Sequence, residues 1–376
     1  MNSVKVIQHV VIGLGIVLMV SGWVHAEPAK GPVKVFILAG QSNMDGQAHV
    51  RTIDFLGEDQ DPTRAALIKT FKPDGKTLVT RDDVWVSNSV IDILRPGFGG
   101  RRNYSKLGSN IGPEYAFGYY MGEAFDEQVL LIKFAPGGQS LYANFRPPSA
   151  GRTGNPKLDD QVLSKEVADK WNEGRQEPVV GLQYRNMVRS VHKTLKNLKD
   201  HFPDYDEKAG YQIAGFVWFQ GYNDMFDMTG RKQYGANLVH LINDVRKEFN
   251  APDMKAVVGV MGVNGTRNEK NPKQLDVRTG QRSINTVPEF KGNAKAVETA
   301  PLLHPKICEI RCAGWLYPER DLKKDPITEE EAAMLGRATS NKGYHYFGSG
   351  RFMILAGKTF ADAMLDLMKV TPNAAK

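Results

Sequence analysis

Hydrophobic positions along the chain fall into short apolar runs separated by stretches of helical periodicity. The runs 33–39 (VKVFILA), 129–135 (VLLIKFA), 213–219 (IAGFVWF), 255–261 (KAVVGVM) and 294–298 (AKAVE) are predicted strands. Between and after them, 112–125, 179–198, 234–249, 274–287, 329–338 and 347–368 are predicted helices, with Pro113 suited to a first helical turn. Near-continuous apolar strands alternating with helices imply a parallel sheet covered on both faces, an α/β fold of three layers.

Two stretches break this rhythm. Residues 49–110 are rich in Asp, Arg, Gly and Asn, and residues 139–175 contain Arg146-Pro147-Pro148 and several glycines. Both are read as long loop insertions in one domain spanning 27–376. Each follows a strand, which places it at the carboxyl edge where open α/β sheets bind ligands.

The longest apolar stretch lies at the N-terminus. Residues 1–26 have Lys5 in a short leading region, an apolar segment 10–23, and Val24-His25-Ala26 resembling a small-residue cleavage site. This reads as a signal peptide and predicts an exported, periplasmic or secreted protein. An uncleaved anchor is the alternative, but the run is shorter than the roughly 20 residues of a spanning helix. No stable membrane association is expected after cleavage. In an oxidising compartment Cys308 and Cys312 become a plausible local disulfide.

With 41% hydrophobic and 9% aromatic residues the chain can build a real core, which excludes disorder. The net charge of +7 is interspersed, with no basic stripe interleaved with aromatics, so nucleic acid is not an expected partner. No cofactor is indicated. His304, Cys308 and Cys312 lack a fourth ligand at usual zinc spacing.

Candidate chemistry sits where strands end. Gly40-Gln41-Ser42-Asn43-Met44 follows the first strand, and a serine there either presents its hydroxyl above the sheet edge or caps the next helix. Pro136-Gly137-Gly138-Gln139-Ser140 follows the second strand, offering a Gly138 N–H as an oxyanion donor or simply a tight turn, with Ser140 a lesser nucleophile. Gln220-Gly221-Tyr222-Asn223-Asp224 follows the third, where the Asn223 amide suits an oxyanion hole or an Asx turn. A serine nucleophile needs a base. His192, His201 and His240 lie in or at the ends of helices, and His49 and His304 in loops, whereas His345 feeds the last helix among aromatic neighbours.

Taken together and in this order, these motifs resemble the SGNH-hydrolase superfamily, and within it the sialate O-acetylesterase and acetylxylan-esterase type of carbohydrate esterase. The resemblance spans roughly residues 33–366. It implies a flavodoxin-like α/β/α sandwich, metal-independent ester hydrolysis, and an acetylated oligo- or polysaccharide as substrate. By matching position Ser42 would be the nucleophile and His345 the base, with Ser42 N–H, Gly138 N–H and Asn223 forming the oxyanion hole. Two positions depart from the pattern: Lys342 stands where much of the superfamily has Asp before the histidine, and Tyr222 where relatives often have Glu. Asp224 is the nearest acid by motif. A backbone carbonyl orienting His345 in a Ser–His dyad is the other reading. Gln41, Gln220, Tyr222 and Arg146 are expected to bind substrate, with Tyr142, Phe145, Arg101, Arg102 and Tyr104 as further sugar-contact candidates. A non-catalytic glycan-binding protein or a lipid or aryl esterase on the same fold remains the alternative.

Overall fold

Val35 to Ala39 are all buried, so the first apolar run has no solvated face and must lie inside a sheet. The computed structural model describes residues 31–100, 106–171 and 174–371 and shows this arrangement. The expected signal peptide, Arg101, Arg102 and Tyr104 lie outside the described residues.

Seven strands form the sheet: β1 (Val33–Gly40), β2 (Arg81–Ser87), β3 (Ile91–Leu94), β4 (Val129–Phe134), β5 (Tyr211–Phe219), β6 (Lys255–Val260) and β7 (Ala294–Glu298). Their order is β3-β2-β4-β1-β5-β6-β7. All neighbours are parallel except β3, which returns antiparallel to β2 at the edge. The principal helices are α1 (Pro62–Phe71), α2 (Glu114–Ala124), α3 (Leu182–Lys196), α4 (Tyr234–Glu248), α5 (Pro272–Arg282), α6 (Glu329–Ala338) and α7 (Gly350–Met368).

Alternation along the strands divides the layers. Phe36 of β1 meets Phe117 of α2, and the α7 residue Phe360 meets Phe219 of β5, so α2 and α7 cover one face. On the other face Trp218 of β5 bonds Tyr234 of α4, and Ser87 of β2 bonds Thr194 of α3. The two helices of the first face touch closely: a Cβ at Gly357 of α7 would lie 2.3 Å from the Pro113 carbonyl oxygen. The fold is therefore the expected three-layer α/β/α sandwich.

The stretch 49–110 is not a loop insertion but carries α1, β2 and β3. Its strand is hard to see because only Val84-Trp85-Val86 is apolar and three charged residues precede it. Arg81 of that charged lead is neutralised by Asp83 and Glu123. The segment 139–175 keeps its irregular character, with short helices at Pro156–Asp159 and Lys165–Trp171. A helix at Pro305–Arg311 was not expected. Cys308 and Cys312 at its end are free, buried thiols rather than a disulfide. Side chains four apart on a helical turn hold their Cβ atoms about 5–6 Å apart, beyond disulfide reach.

Under the sheet edge, Lys133 of β4 and Glu114 of α2 form a buried ion pair at 2.9 Å, with side chains 0% and 1% exposed. Lys133 Nζ also donates to the carbonyls of Asp45 and Phe98, and Glu114 Oε1 accepts from Gly112 N–H. All charge in this cluster is matched, and it anchors the turn that follows β1. Removing one partner leaves the other charge buried and uncompensated. Lys133→Met should therefore destabilise the fold by about 3–5 kcal/mol in urea unfolding.

Candidate active site

The carboxyl ends of β1, β4 and β5 meet at one edge of the sheet, and their turns build the site. β1 leaves the sheet through Gly40, where a Cβ would lie 2.2 Å from the Phe219 carbonyl oxygen, so no larger residue fits beside β5. The chain then turns into a single helical turn, Ser42–Asp45, with the Gln41 carbonyl accepting from Met44 and Asp45 N–H. Ser42 stands half-buried at its start, where backbone N–H groups have no partner within the helix.

His345 reaches the same point from the far end of the chain. Its Nε2 lies 3.0 Å from Ser42 Oγ, and its Nδ1 lies 3.0 Å from Asn341 Oδ1. The neighbouring Asn43 donates from Nδ2 to the Tyr344 carbonyl at 3.1 Å, tying the serine turn to the histidine loop. That loop is strained. Tyr346, Phe347 and Gly348 all have left-handed backbone, with φ of 52°, 60° and 60°. The strain is held by packing, since Tyr346 is fully buried, stacks on Phe352 at 3.8 Å, and accepts from Gly262 N–H at its hydroxyl. Burial of the imidazole pushes the His345 pKa below its ordinary 6.5. At neutral pH the ring is therefore neutral and able to accept a proton.

The second turn, after β4, passes beside the serine: a Cβ at Gly137 would be 3.8 Å from Ser42 Cβ. Gly138 is left-handed, and its N–H makes no hydrogen bond among the described residues. The third turn, after β5, supplies Asn223, whose Nδ2 donates to the Gly138 carbonyl at 2.9 Å and whose Oδ1 accepts from Gln41 Nε2 at 3.3 Å. The structure thus brings Ser42, His345, Gly138 and Asn223 together.

Four expected residues have other surroundings. Asp224 is fully buried and does not bond His345. Its carboxylate accepts from Leu141 N–H, Tyr142 N–H and Gln220 Nε2 at 2.9, 2.9 and 2.7 Å. Loss of solvent pushes its pKa up to about 6, although these three donors pull the other way. Gln41 and Gln220 are 2% and 3% exposed, and their amides face each other at 3.0 Å rather than a substrate. Arg146 is 5% exposed, and its guanidinium is spent on the carbonyls of Tyr142, Ala150, Gly151 and Arg152. It closes the 142–152 loop on itself. Tyr142 and Phe145 are buried as well. Ser140 bonds Asn144 within its own turn.

Tyr222 keeps a place at the site. Its ring touches Tyr344 at 5.7 Å, and Tyr344 meets the His345 ring edge-on at 4.5 Å. Beside them opens a cavity of about 440 Å³, lined by Tyr222, Tyr344, Trp315, Arg311, Lys342 and Asn264 among others. Asn43 and Asn341 were missed by sequence reasoning. Asn43 carried the signal of adjacency to Ser42, whereas Asn341 carried only its offset of four from His345.

A serine on the turn after the central strand and a late histidine in reach of it stand above a parallel α/β/α sheet, the arrangement that the SGNH resemblance implies. The chain belongs to the carbohydrate esterases of the sialic acid-specific acetylesterase family, whose profile matches residues 32–302. His345 and Asn341 lie beyond that stretch, so their place in the site is given by the structure. Curated protein sequences returned no significant match. Among solved structures, a protein from Arabidopsis thaliana is similar at 15% identity and a TM-score of 0.49, over 89% of this chain and 98% of that one. NanS is similar at 14% identity and a TM-score of 0.48, over 92% and 99%. A carbohydrate acetylesterase from Xanthomonas citri is similar at 12% identity and a TM-score of 0.42, over 88% of this chain and 57% of that one.

The surroundings of Asp224 make it a brace for the 139–142 turn. Asp224→Asn would set an NH2 group against a backbone N–H and should destabilise the protein by about 1–3 kcal/mol in urea unfolding. The acid limb of its activity–pH profile should stay where the wild type has it. A displaced limb would instead couple Asp224 to the imidazole.

Proposed function

We propose that this protein is a serine esterase that removes acetyl groups from O-acetylated carbohydrate through an acyl-enzyme. The observation that carries this reading is the 3.0 Å contact between Ser42 Oγ and His345 Nε2, within the range of a nucleophile and its base. His345 takes the hydroxyl proton as Ser42 Oγ bonds the ester carbonyl carbon. The oxyanion that forms is held by the Ser42 and Gly138 N–H groups and the second hydrogen of Asn223 Nδ2, each donor worth roughly 3 kcal/mol of barrier. The imidazolium then gives its proton to the sugar oxygen as the carbon–oxygen bond breaks. Water activated by His345 releases acetate and restores Ser42.

The cavity beside His345 supplies a place for the sugar. Its Tyr222, Tyr344 and Trp315 rings offer stacking surfaces, with Trp315 57% and Tyr344 44% exposed. The membership of the carbohydrate esterases supports a sugar ester over a lipid ester. Acetyl as the acyl group rests on the same membership.

Ser42→Ala should lower kcat/KM for p-nitrophenyl acetate and for acetylated sugars by roughly 10⁴-fold or more. Retained hydrolysis would remove Ser42 from the mechanism. The base works only when neutral, so kcat/KM should fall as pH drops through the pKa of His345. Burial lowers that pKa from its ordinary 6.5, so the midpoint of the acid limb should lie below 6.5. A midpoint above 6.5 would contradict a desolvated, uncharged base.

A further inference from the structure

Among the described residues, no carboxylate bonds the candidate base. The one acid placed near it by sequence, Asp224, is occupied by Leu141, Tyr142 and Gln220. Lys342, which stands at the position of the usual acid, lines the cavity wall and is exposed. What meets the far nitrogen of His345 is the Asn341 side chain at 3.0 Å.

We propose that Asn341 is the positioning residue of this site, holding His345 in the one tautomer that can take a proton from Ser42. The proposal rests on the esterase reading above. Its logic begins at a backbone group. Lys342 N–H donates to Asn341 Oδ1 at 2.7 Å, and a backbone N–H can only donate. The amide atom on that side is therefore the oxygen, which settles the orientation that an Asn side chain otherwise leaves open. That oxygen can only accept, so His345 Nδ1 must carry the hydrogen. The lone pair of a neutral imidazole then sits on Nε2, the atom 3.0 Å from Ser42 Oγ. One relay, from Lys342 N–H to Asn341 to His345 to Ser42, sets the direction in which the proton moves.

The loop is folded to make this contact. Phe347 O accepts from both Ser340 and Asn341 N–H at 2.8 and 2.9 Å, and Lys342 O accepts from His345 N–H at 3.0 Å. The chain doubles back, so an amide and an imidazole four residues apart face each other. Among the described residues, the groups around the ring are Ser42 and Asn43 from the turn after β1, Tyr222 from the turn after β5, and Lys342 and Tyr344 from its own loop. Arg311 stands across the cavity. None is an acid. An amide oxygen fixes tautomer and ring angle as a carboxylate does, but it adds no charge to favour the imidazolium. The site has orientation without an ion pair.

The experiment compares the full-length wild type with Asn341→Asp and Asn341→Ala. His345 is titrated by its ring-proton NMR signals, and kcat and KM are measured with p-nitrophenyl acetate across pH. Asn341→Asp places a carboxylate where the amide was and should raise the His345 pKa by about 1–3 units, carrying the acid limb of kcat/KM with it. Asn341→Ala should lower kcat by about 10²-fold with KM changed less than about twofold, the mark of lost orientation rather than lost binding. An unmoved His345 pKa in Asn341→Asp, or wild-type kcat in a folded Asn341→Ala, overturns the proposal. The titration decides it even if Asn341→Ala does not fold. A wild type without esterase activity would instead overturn the functional reading, while the titration still tests the Asn341–His345 contact by itself.

Discussion

The carboxamide of Gln220 ties the strand ends together. Its Nε2 lies within hydrogen-bond reach of Gln41 Oε1, the Gln139 carbonyl and Asp224 Oδ2, one acceptor on each of the turns after β1, β4 and β5. Its Oε1 accepts from the Tyr234 hydroxyl, which in turn accepts from Trp218 Nε1, while the Gln220 carbonyl accepts from Gln281 Nε2. All but the Gln139 contact is buried, where an unmade hydrogen bond costs more than a made one contributes. The network is therefore satisfied in one arrangement of the three turns. That arrangement sets Ser42, Gly138 and Asn223 around a common point, although none of the network's buried amides needs to touch substrate.

A second support works from below. The Lys133–Glu114 pair draws the Asp45 and Phe98 carbonyls toward β4 and fixes the far end of the turn that begins at Ser42. Thus Ser42 lies between two polar clusters, one at each end of its single helical turn. A turn of four residues has little stability of its own, and its geometry is borrowed from these flanking groups. Gly138 and Asn223 share the same rigidity, which is what the oxyanion hole proposed for them would demand.

Much of this could be read from sequence, for physical reasons that also mark where reading stopped. β1, β4 and β5 are apolar nearly end to end because both faces are covered, so they stood out, and with them the turns bearing Ser42, Gly138 and Asn223. His345 stood out by elimination among the histidines. β2 did not, because its buried part is only Val84 to Ser87 after a charged lead, and the edge position of β3 weakens its pattern further. Arg146 was misread because a guanidinium in a Pro- and Gly-rich loop suggests surface, whereas its fork fits a ring of carbonyls that only the folded loop assembles. Asp224 was misread for a similar reason: adjacency in a motif does not say which way a carboxylate turns. Asn341 was invisible, because its contact with His345 exists only after Tyr346 and Phe347 adopt left-handed backbone, which no local propensity favours in aromatic residues.

That left-handed turn sends successive side chains to opposite sides of the chain. His345 goes to the open edge and meets Ser42, while Tyr346 goes into the core between Phe219 and Phe352. To move the backbone that carries the imidazole, the protein would have to pull a buried aromatic ring out of its stack. The backbone beneath His345 is thus a fixed jig rather than a closing jaw. Under the proposed function, selectivity would rest on which esters can present their carbonyl to Ser42 and His345 along the Tyr222–Tyr344 wall.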